Sequence, residues 1–404
     1  MANRRPHMAD RQLSSSIHIA ACLLLALNLR PALATVGPLL DDIERSARLT
    51  HSEAGLLTTL PVLAMGLCAL LVRPLRTAFG EQPGIGLGMA LIAAACAARA
   101  VWTGKTGLLG TALAAGIGIA LVQALLPSFI KRRFGPQAGR IMGLYTTGIM
   151  AGAAFAAASA AAIAAALDWA FALAVWALPA SVGLIAWSVL TWHERDATSA
   201  IPKAPTLVLN PPSLWLNGRA WLLLIFFGIG TGAYTLVLAW LPPYYTGLGW
   251  RAGDAGLLLG AITLAQVVAG LAVSASVGRF PDRRGPLLAA LALLFAGLLC
   301  LFAASLALAL PASLLLGLGI GALFPLSLIV ALDHVDEPER AGDLTAFVQG
   351  GGYVIASAMP FLAGLMRDRF ADLAQAWAFM ATGVALLALI CLRFSPASYS
   401  HLSR

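Results

Sequence analysis

The chain has 404 residues, 60% of them hydrophobic and only 11% charged. Soluble globular domains carry about 25% charged residues, so the composition excludes an ordinary soluble enzyme or binding module and implies a polytopic membrane protein. A net charge of +8 would suggest nucleic acid in a soluble protein; here it reads as basic loops on one face of a bilayer, with no nucleic-acid partner.

A membrane-crossing helix needs about 20 apolar residues. Twelve spans are predicted, at 14–40, 52–78, 83–101, 107–131, 138–166, 169–192, 219–246, 252–278, 285–306, 308–332, 340–366 and 372–394, so the fold class is all-α. The first apolar run has no small-residue cleavage site ahead of a soluble domain, and it reads as a span and not as a removable signal. Eighteen of the 26 Lys and Arg fall on the side of the two termini, which the positive-inside rule places in the cytoplasm. The longest polar stretch, 193–218, is rich in proline and reads as a flexible linker between halves at 1–192 and 219–404. Cys22, Cys68, Cys96, Cys300 and Cys391 lie in apolar runs without metal spacing. They read as small core residues, and no metal or cofactor is expected.

The first span contains LLLALNLRPALATVGPLL (23–40), with Arg30 near mid-depth. An arginine in hydrocarbon costs at least ~2.5 kcal/mol and usually faces a protein interior or a watery cavity. Asn28 adds an amide, and Pro31 cannot donate to the carbonyl of Leu27, so the helix is expected to loosen there. A cation, an amide and a freed carbonyl at mid-depth suit a small anion. The plainer alternative is an Arg30 bonded to neighbouring backbone carbonyls.

Other polar residues in mid-span join the candidate list, because transporters built from repeats bind at the midplane. Gln123 shares a helical face with Gly116, Ala120 and Pro127, and Gln266 shares one with Thr263 and Gly270. The fifth span offers Tyr145, Thr146 and Thr147, the seventh Tyr234 and Trp240, and the eleventh Gln349 and Tyr353. The alternative for each is an interhelical hydrogen bond, or for Trp240 an interfacial belt. Gly350-Gly351-Gly352 lacks the lysine of a phosphate loop and reads as close helix packing. No Asp or Glu falls in the central part of a predicted span. A buried carboxylate is the usual means of holding a cationic drug or a coupling proton. Its absence argues for an anion site and leaves coupling, to a proton or another ion, unassigned.

The halves look duplicated. AGLL at 54–57 recurs at 255–258, and GIGI at 116–119 answers GLGI at 317–320, both 201 residues apart. Pro127 and Pro325 follow, as do Ala138-Gly139 and Ala341-Gly342, at similar spacing.

Two six-helix halves joined by a cytoplasmic loop resemble the major facilitator superfamily. GRFPDRRG (278–285) looks like that superfamily's loop motif, while its first-half counterpart RPLRTAFG (73–80) keeps Arg76 and Gly80 but lacks the aspartate. ALNLRPALATVGPLL (26–40), TTLPVLAMG (58–66), ALLPSFIKRRF (124–134) and ALFPLSLIVALDH (322–334) are similar to the cyanate transporter subfamily, which includes exporters of 2-nitroimidazole. The resemblance implies a secondary active transporter of a bacterial inner membrane. It would act as a monomer and move a small anion or azole by alternating access, with Arg30 matching the subfamily's first-span arginine.

Opposite charges sit at equivalent cytoplasmic ends. Lys131, Arg132 and Arg133 close the fourth span, and Asp333, His334, Asp336 and Glu337 close the tenth, with Asp282 and Arg283 in the nearby loop motif. The charged ends of the fourth and tenth spans are expected to pair when the cytoplasmic side closes, with His334 a candidate for tuning the gate by pH; the alternative is that the basic cluster simply anchors topology. A membrane-embedded enzyme is disfavoured, because the six histidines sit at span ends or outside and form no ligand pair. A broad-specificity drug exporter with an apolar cavity is the alternative, marked by transport that survives Arg30→Ala.

Overall fold

A computed structural model describes residues 8–195, 214–335, 338–397 and 399. The described residues contain twelve helices long and apolar enough to cross a membrane. In chain order they are α1 (Ser16–Ala47), α2 (His51–Leu70), α3 (Glu81–Ala98), α4 (Lys105–Phe134), α5 (Ala138–Ala166), α6 (Trp169–Trp192), α7 (Gly218–Gly247), α8 (Ala252–Ser276), α9 (Arg284–Ala303), α10 (Ala309–Leu332), α11 (Arg340–Phe370) and α12 (Ala374–Cys391). Two boundaries differ from expectation. α1 runs past Leu40 through an amphipathic end, LDDIERSA, that has too many charges to read as membrane. The predicted second span ends at Leu70, and Val72–Phe79 forms a separate short helix carrying the basic loop. Most of the expected linker lies outside the described residues; Leu214–Leu216 makes a single turn before α7.

Local chemistry sets the starts. Thr50 and Glu53 form a reciprocal capping box at α2, the Asp168 carboxylate accepts from Phe171 N–H at α6, and the Asn217 side chain accepts from two amides at α7. Leu178, Val182, Ile185 and Val189 make an exposed apolar stripe down α6, the face a lipid-contacting helix presents.

Packing repeats with a period of six helices. α1 packs on α5 as α7 does on α11, α2 on α4 as α8 does on α10, and α3 on α4 and α6 as α9 does on α10 and α12. The glycines of the sequence repeat explain part of this. Gly116 lies against Pro61, and Gly317, 201 residues later, lies against Ile262, itself 201 residues after Pro61. A methyl group on either glycine would overlap its neighbour, so only glycine allows that approach. Gly350, Gly351 and Gly352 pack against α2 and α7, at Leu70, Leu224 and Phe227 respectively, which is the close packing expected of them.

α1 and α7 are central, with 72% and 78% of their apolar windows buried against 28% for α6. The first six spans meet the last six through α2–α11 and α5–α8. At the end of the bundle away from the termini this contact is tight. Asp368 of α11 accepts from the His51 and Ser52 amides of α2, each at 2.9 Å. Thr246 donates to Asp41, and the Trp240 indole donates to the Pro360 carbonyl at 2.8 Å. Gly37, Gly55 and Gly256 let backbones touch at Leu238, Pro360 and Ala157.

Candidate functional site

The centre of the bundle is organised by a break in α1. The regular helix ends at Leu27, a four-residue helix spans Pro31–Ala34, and a 3-10 turn spans Gly37–Leu39. Pro31 causes the break, as its sequence position implies: it has no N–H for the Leu27 carbonyl. The backbone answers with tighter bonds, Asn28 N–H to Leu25 O and Leu29 N–H to Ala26 O, both 3.1 Å. That shift strands the Leu24 carbonyl, which the Asn28 side-chain amide takes at 2.7 Å. Asn28 is thus a backbone substitute lying near Gly183 of α6, whereas the sequence suggested a ligand. The Leu27 carbonyl lies against Gly152 of α5, where any side chain would overlap it.

Arg30 occupies the position before the short helix and is buried. Its guanidinium lies 5.5 Å above the ring of Tyr234 from α7. Tyr353 of α11 and Tyr145 of α5, both buried, are near enough to feel its charge. Four of the nine expected binding residues, Arg30, Tyr145, Tyr234 and Tyr353, are therefore gathered at one place from four helices. Among the described residues no carboxylate pairs with Arg30. The Arg30 Nε and the Tyr234 hydroxyl are both buried without a hydrogen-bond partner. A cation–π contact is worth up to about 2 kcal/mol when desolvated and leaves the charge unneutralised. An unneutralised cation beside an unpartnered hydroxyl is chemically suited to an anionic or strongly polarised group.

The other expected residues lie elsewhere. Trp240 is fully buried beside His51 and under Arg367, its N–H spent on Pro360, so it belongs to the closed end of the bundle. Gln123 and Gln349 are half-buried on α4 and α11. Gln266 is buried, with its backbone against Gly321 of α10.

Of the gate residues, Asp333 accepts from Arg283 at 2.7 Å, and Asp282 accepts from Arg284. Arg132 lies 2.9 Å from Glu81, an ion-pair distance without hydrogen-bond alignment. Lys131 and Arg133 are exposed beside it. Asp336 and Glu337 lie outside the described residues. His334 donates from Nδ1 to Val330 O at 2.6 Å and accepts from Arg219 at 3.0 Å; burial holds its pKa down to about 4. It stays neutral at physiological pH, which removes the expected pH tuning.

Sequence reasoning missed Arg99. Lying near the end of the predicted third span and absent from the candidate residues, it is buried, donating to the Ala32 carbonyl at 2.9 Å and to Thr111. Its position at the end of α3 gave no signal, since only the folded α1 supplies the carbonyl it meets.

A membrane-spanning bundle with six-helix periodicity around an uncompensated cation has the build of a solute transporter. The chain matches the model of the Major Facilitator Superfamily over residues 22–357 and 246–404. It is 36% identical over 381 residues to the cyanate transport protein CynX of Escherichia coli (strain K12), covering 94% of this chain and 97% of that protein. It is 32% identical to the 2-nitroimidazole transporter of the same organism, covering 93% of each. Among solved structures it resembles a D-xylose–proton symporter (TM-score 0.74, 14% identity, 95% and 98% of the two chains). It also resembles the nucleoside transporter NupG (TM-score 0.72, 11% identity, 93% and 99%). The chain belongs to the Major Facilitator Superfamily, in the subfamily of the cyanate and 2-nitroimidazole transporters, and is a transport protein and not an enzyme.

Proposed function

We propose that this protein is a secondary active transporter that moves a small anion, cyanate-like in size and charge, or a small azole, with Arg30 as the central substrate-binding cation. The observation that carries this is a pair of buried groups without hydrogen-bond partners at the break of α1, Arg30 Nε and the hydroxyl of Tyr234, the ring over which the guanidinium lies. In hydrocarbon such groups cost free energy until a guest accepts their protons. The names of the two curated relatives support the substrate class.

The two proposed halves, 1–192 and 219–404, would rock about this site, with both termini in the cytoplasm of a bacterial inner membrane. The tight contacts at the Asp368 end and the separate ion pairs of Arg132 and Arg283 at the other support an inward-facing state. Closure at the terminus-bearing side would bring Lys131, Arg132 and Arg133 toward Asp333, Asp336 and Glu337.

The test is uptake of labelled cyanate and 2-nitroimidazole into proteoliposomes. Arg30→Ala is expected to abolish saturable uptake, and Tyr234→Phe to raise KM about tenfold, the scale of one charge-assisted hydrogen bond. Uptake that survives Arg30→Ala would instead favour a broad-specificity exporter.

A further inference from the structure

The break in α1 leaves a second carbonyl to account for. In an unbroken helix the Ala32 carbonyl would accept from Val36 N–H, but that amide bonds Leu33 O at 3.2 Å instead. Pro31 O is satisfied twice, by the Thr35 amide at 3.1 Å and the Thr35 hydroxyl at 2.8 Å. Ala32 O is left to the Arg99 guanidinium at 2.9 Å. Arg99 is itself 2% exposed, and its other contact is the Thr111 hydroxyl, so the aligned acceptor that it meets in the interior is Ala32 O. Among the described residues no carboxylate pairs with it. Burying a cation to serve one neutral carbonyl is a poor bargain for stability alone.

Geometry gives the arrangement a purpose. The helix that Arg99 holds, Pro31–Ala34, begins one residue after Arg30, whose carbonyl accepts from Leu33 and Ala34 N–H. Four residues are too few to hold their own shape. The direction in which Arg30 projects therefore depends on what anchors them from outside. Arg99 is that anchor on the α3 side, and the Leu27 carbonyl against Gly152 is the stop on the α5 side.

We propose that Arg99 is a positioning residue for the substrate-binding cation: its hydrogen bond to the Ala32 carbonyl fixes the Pro31–Ala34 helix and so aims Arg30 at the tyrosine cluster. This rests on the reading of Arg30 as the residue that binds substrate.

The test uses the full-length protein in detergent with Arg99→Lys, which keeps a cationic donor, and Arg99→Leu, which keeps bulk without a donor. Hydrogen exchange, independent of any substrate, is expected to rise at least tenfold in residues 32–36 for Arg99→Leu, to remain near wild type for Arg99→Lys, and to be unchanged in α9 and α12. Unchanged exchange in residues 32–36 would overturn the anchoring. Cyanate affinity is then measured by competition in wild type and in an Arg30→Lys background. A positioning role predicts about a tenfold loss from Arg99→Leu in wild type and little further loss in Arg30→Lys, because the group being aimed has already been compromised. Equal losses in both backgrounds would mark Arg99 as merely structural and overturn the proposal. Cyanate affinity unaffected by Arg30→Lys and by Arg30→Ala would defeat the parent reading instead, with the exchange result still deciding whether Arg99 anchors the segment.

Discussion

Asp368→Asn is expected to loosen the closed end of the bundle. The Asp368 carboxylate caps α2 from α11 with two amide bonds of 2.9 Å, one on each oxygen, and so joins the first six spans to the last six. Asparagine keeps one good acceptor and removes the negative charge that a helix N-terminus favours. Losing a cap costs about 1 kcal/mol, and the charge adds about 0.3–1 kcal/mol. Asp368 is exposed, which places the sum near the low end, at about 1–1.5 kcal/mol. That is about a fivefold to tenfold gain for states open at this end. Spin labels at Ser46→Cys and Arg251→Cys, both exposed and on opposite sides of the seam, report the opening as a longer-distance population in a double electron–electron resonance measurement. An identical distance distribution in wild type and in both Asp368→Asn and Asp368→Ala would refute the idea that this cap holds the seal.

Three further outcomes follow from the same contacts. Gly152→Val places a branched side chain onto the Leu27 carbonyl, and a melting temperature lowered by the equivalent of about 1–3 kcal/mol is expected; an unchanged melt would mean α1 can move aside freely. His334 has a folded pKa near 4 against an ordinary 6.5, so the folded protein binds fewer protons than the unfolded chain. Its contribution, a few kcal/mol at most, is complete above about pH 6.5 and lost as the pH falls toward 4. Melting temperature should decline over that window, and the decline should flatten in His334→Gln. Charge reversal at Arg132 or at Asp333 alone is expected to slow transport, and the double reversal to recover part of it; absence of recovery would remove the proposed gate pairing.

The architecture could be read from hydropathy and from a repeat of 201 residues, because membrane spans advertise themselves by length and glycines by their spacing. The break at Pro31 could be read as well, since proline removes a donor whatever surrounds it. What Asn28 does about that break could not. An amide two positions before an intramembrane arginine reads equally as a ligand or as a substitute donor, and only the orientation toward Leu24 O decides. Trp240 is a similar case, a polar-tipped aromatic whose N–H meets a carbonyl in another helix. The carboxylates of the seal were hidden for a different reason: Asp41 and Asp368 lie toward the helix ends, beyond the apolar core of each span. Arg99 was hidden because its partner is a backbone atom 67 positions earlier.

The two ends of the bundle are held by forces of different kinds, and this bears on how a guest at Arg30 could act. At the terminus-bearing end the ion pairs Arg132–Glu81 and Arg283–Asp333 each stay within one set of six spans. Such partly exposed pairs are worth about 0–1 kcal/mol, so exchanging partners there is nearly free. At the other end, backbones meet across the seam at Gly37, Gly55 and Gly256, contacts that are lost outright if the surfaces part. Backbones also meet across the seam nearer the terminus-bearing side, at Gly66 and Gly350, so what sets the sealed end apart is its polar bonds at Asp368 and Asp41. The segment carrying Arg30 runs straight into it: seven residues on, Gly37 touches Leu238, and four beyond that Asp41 holds Thr246. On the proposed reading of Arg30 as the substrate-binding cation, a guest that draws it to a new position would pull on that short stretch of broken helix, and contiguous backbone would join binding to the seal.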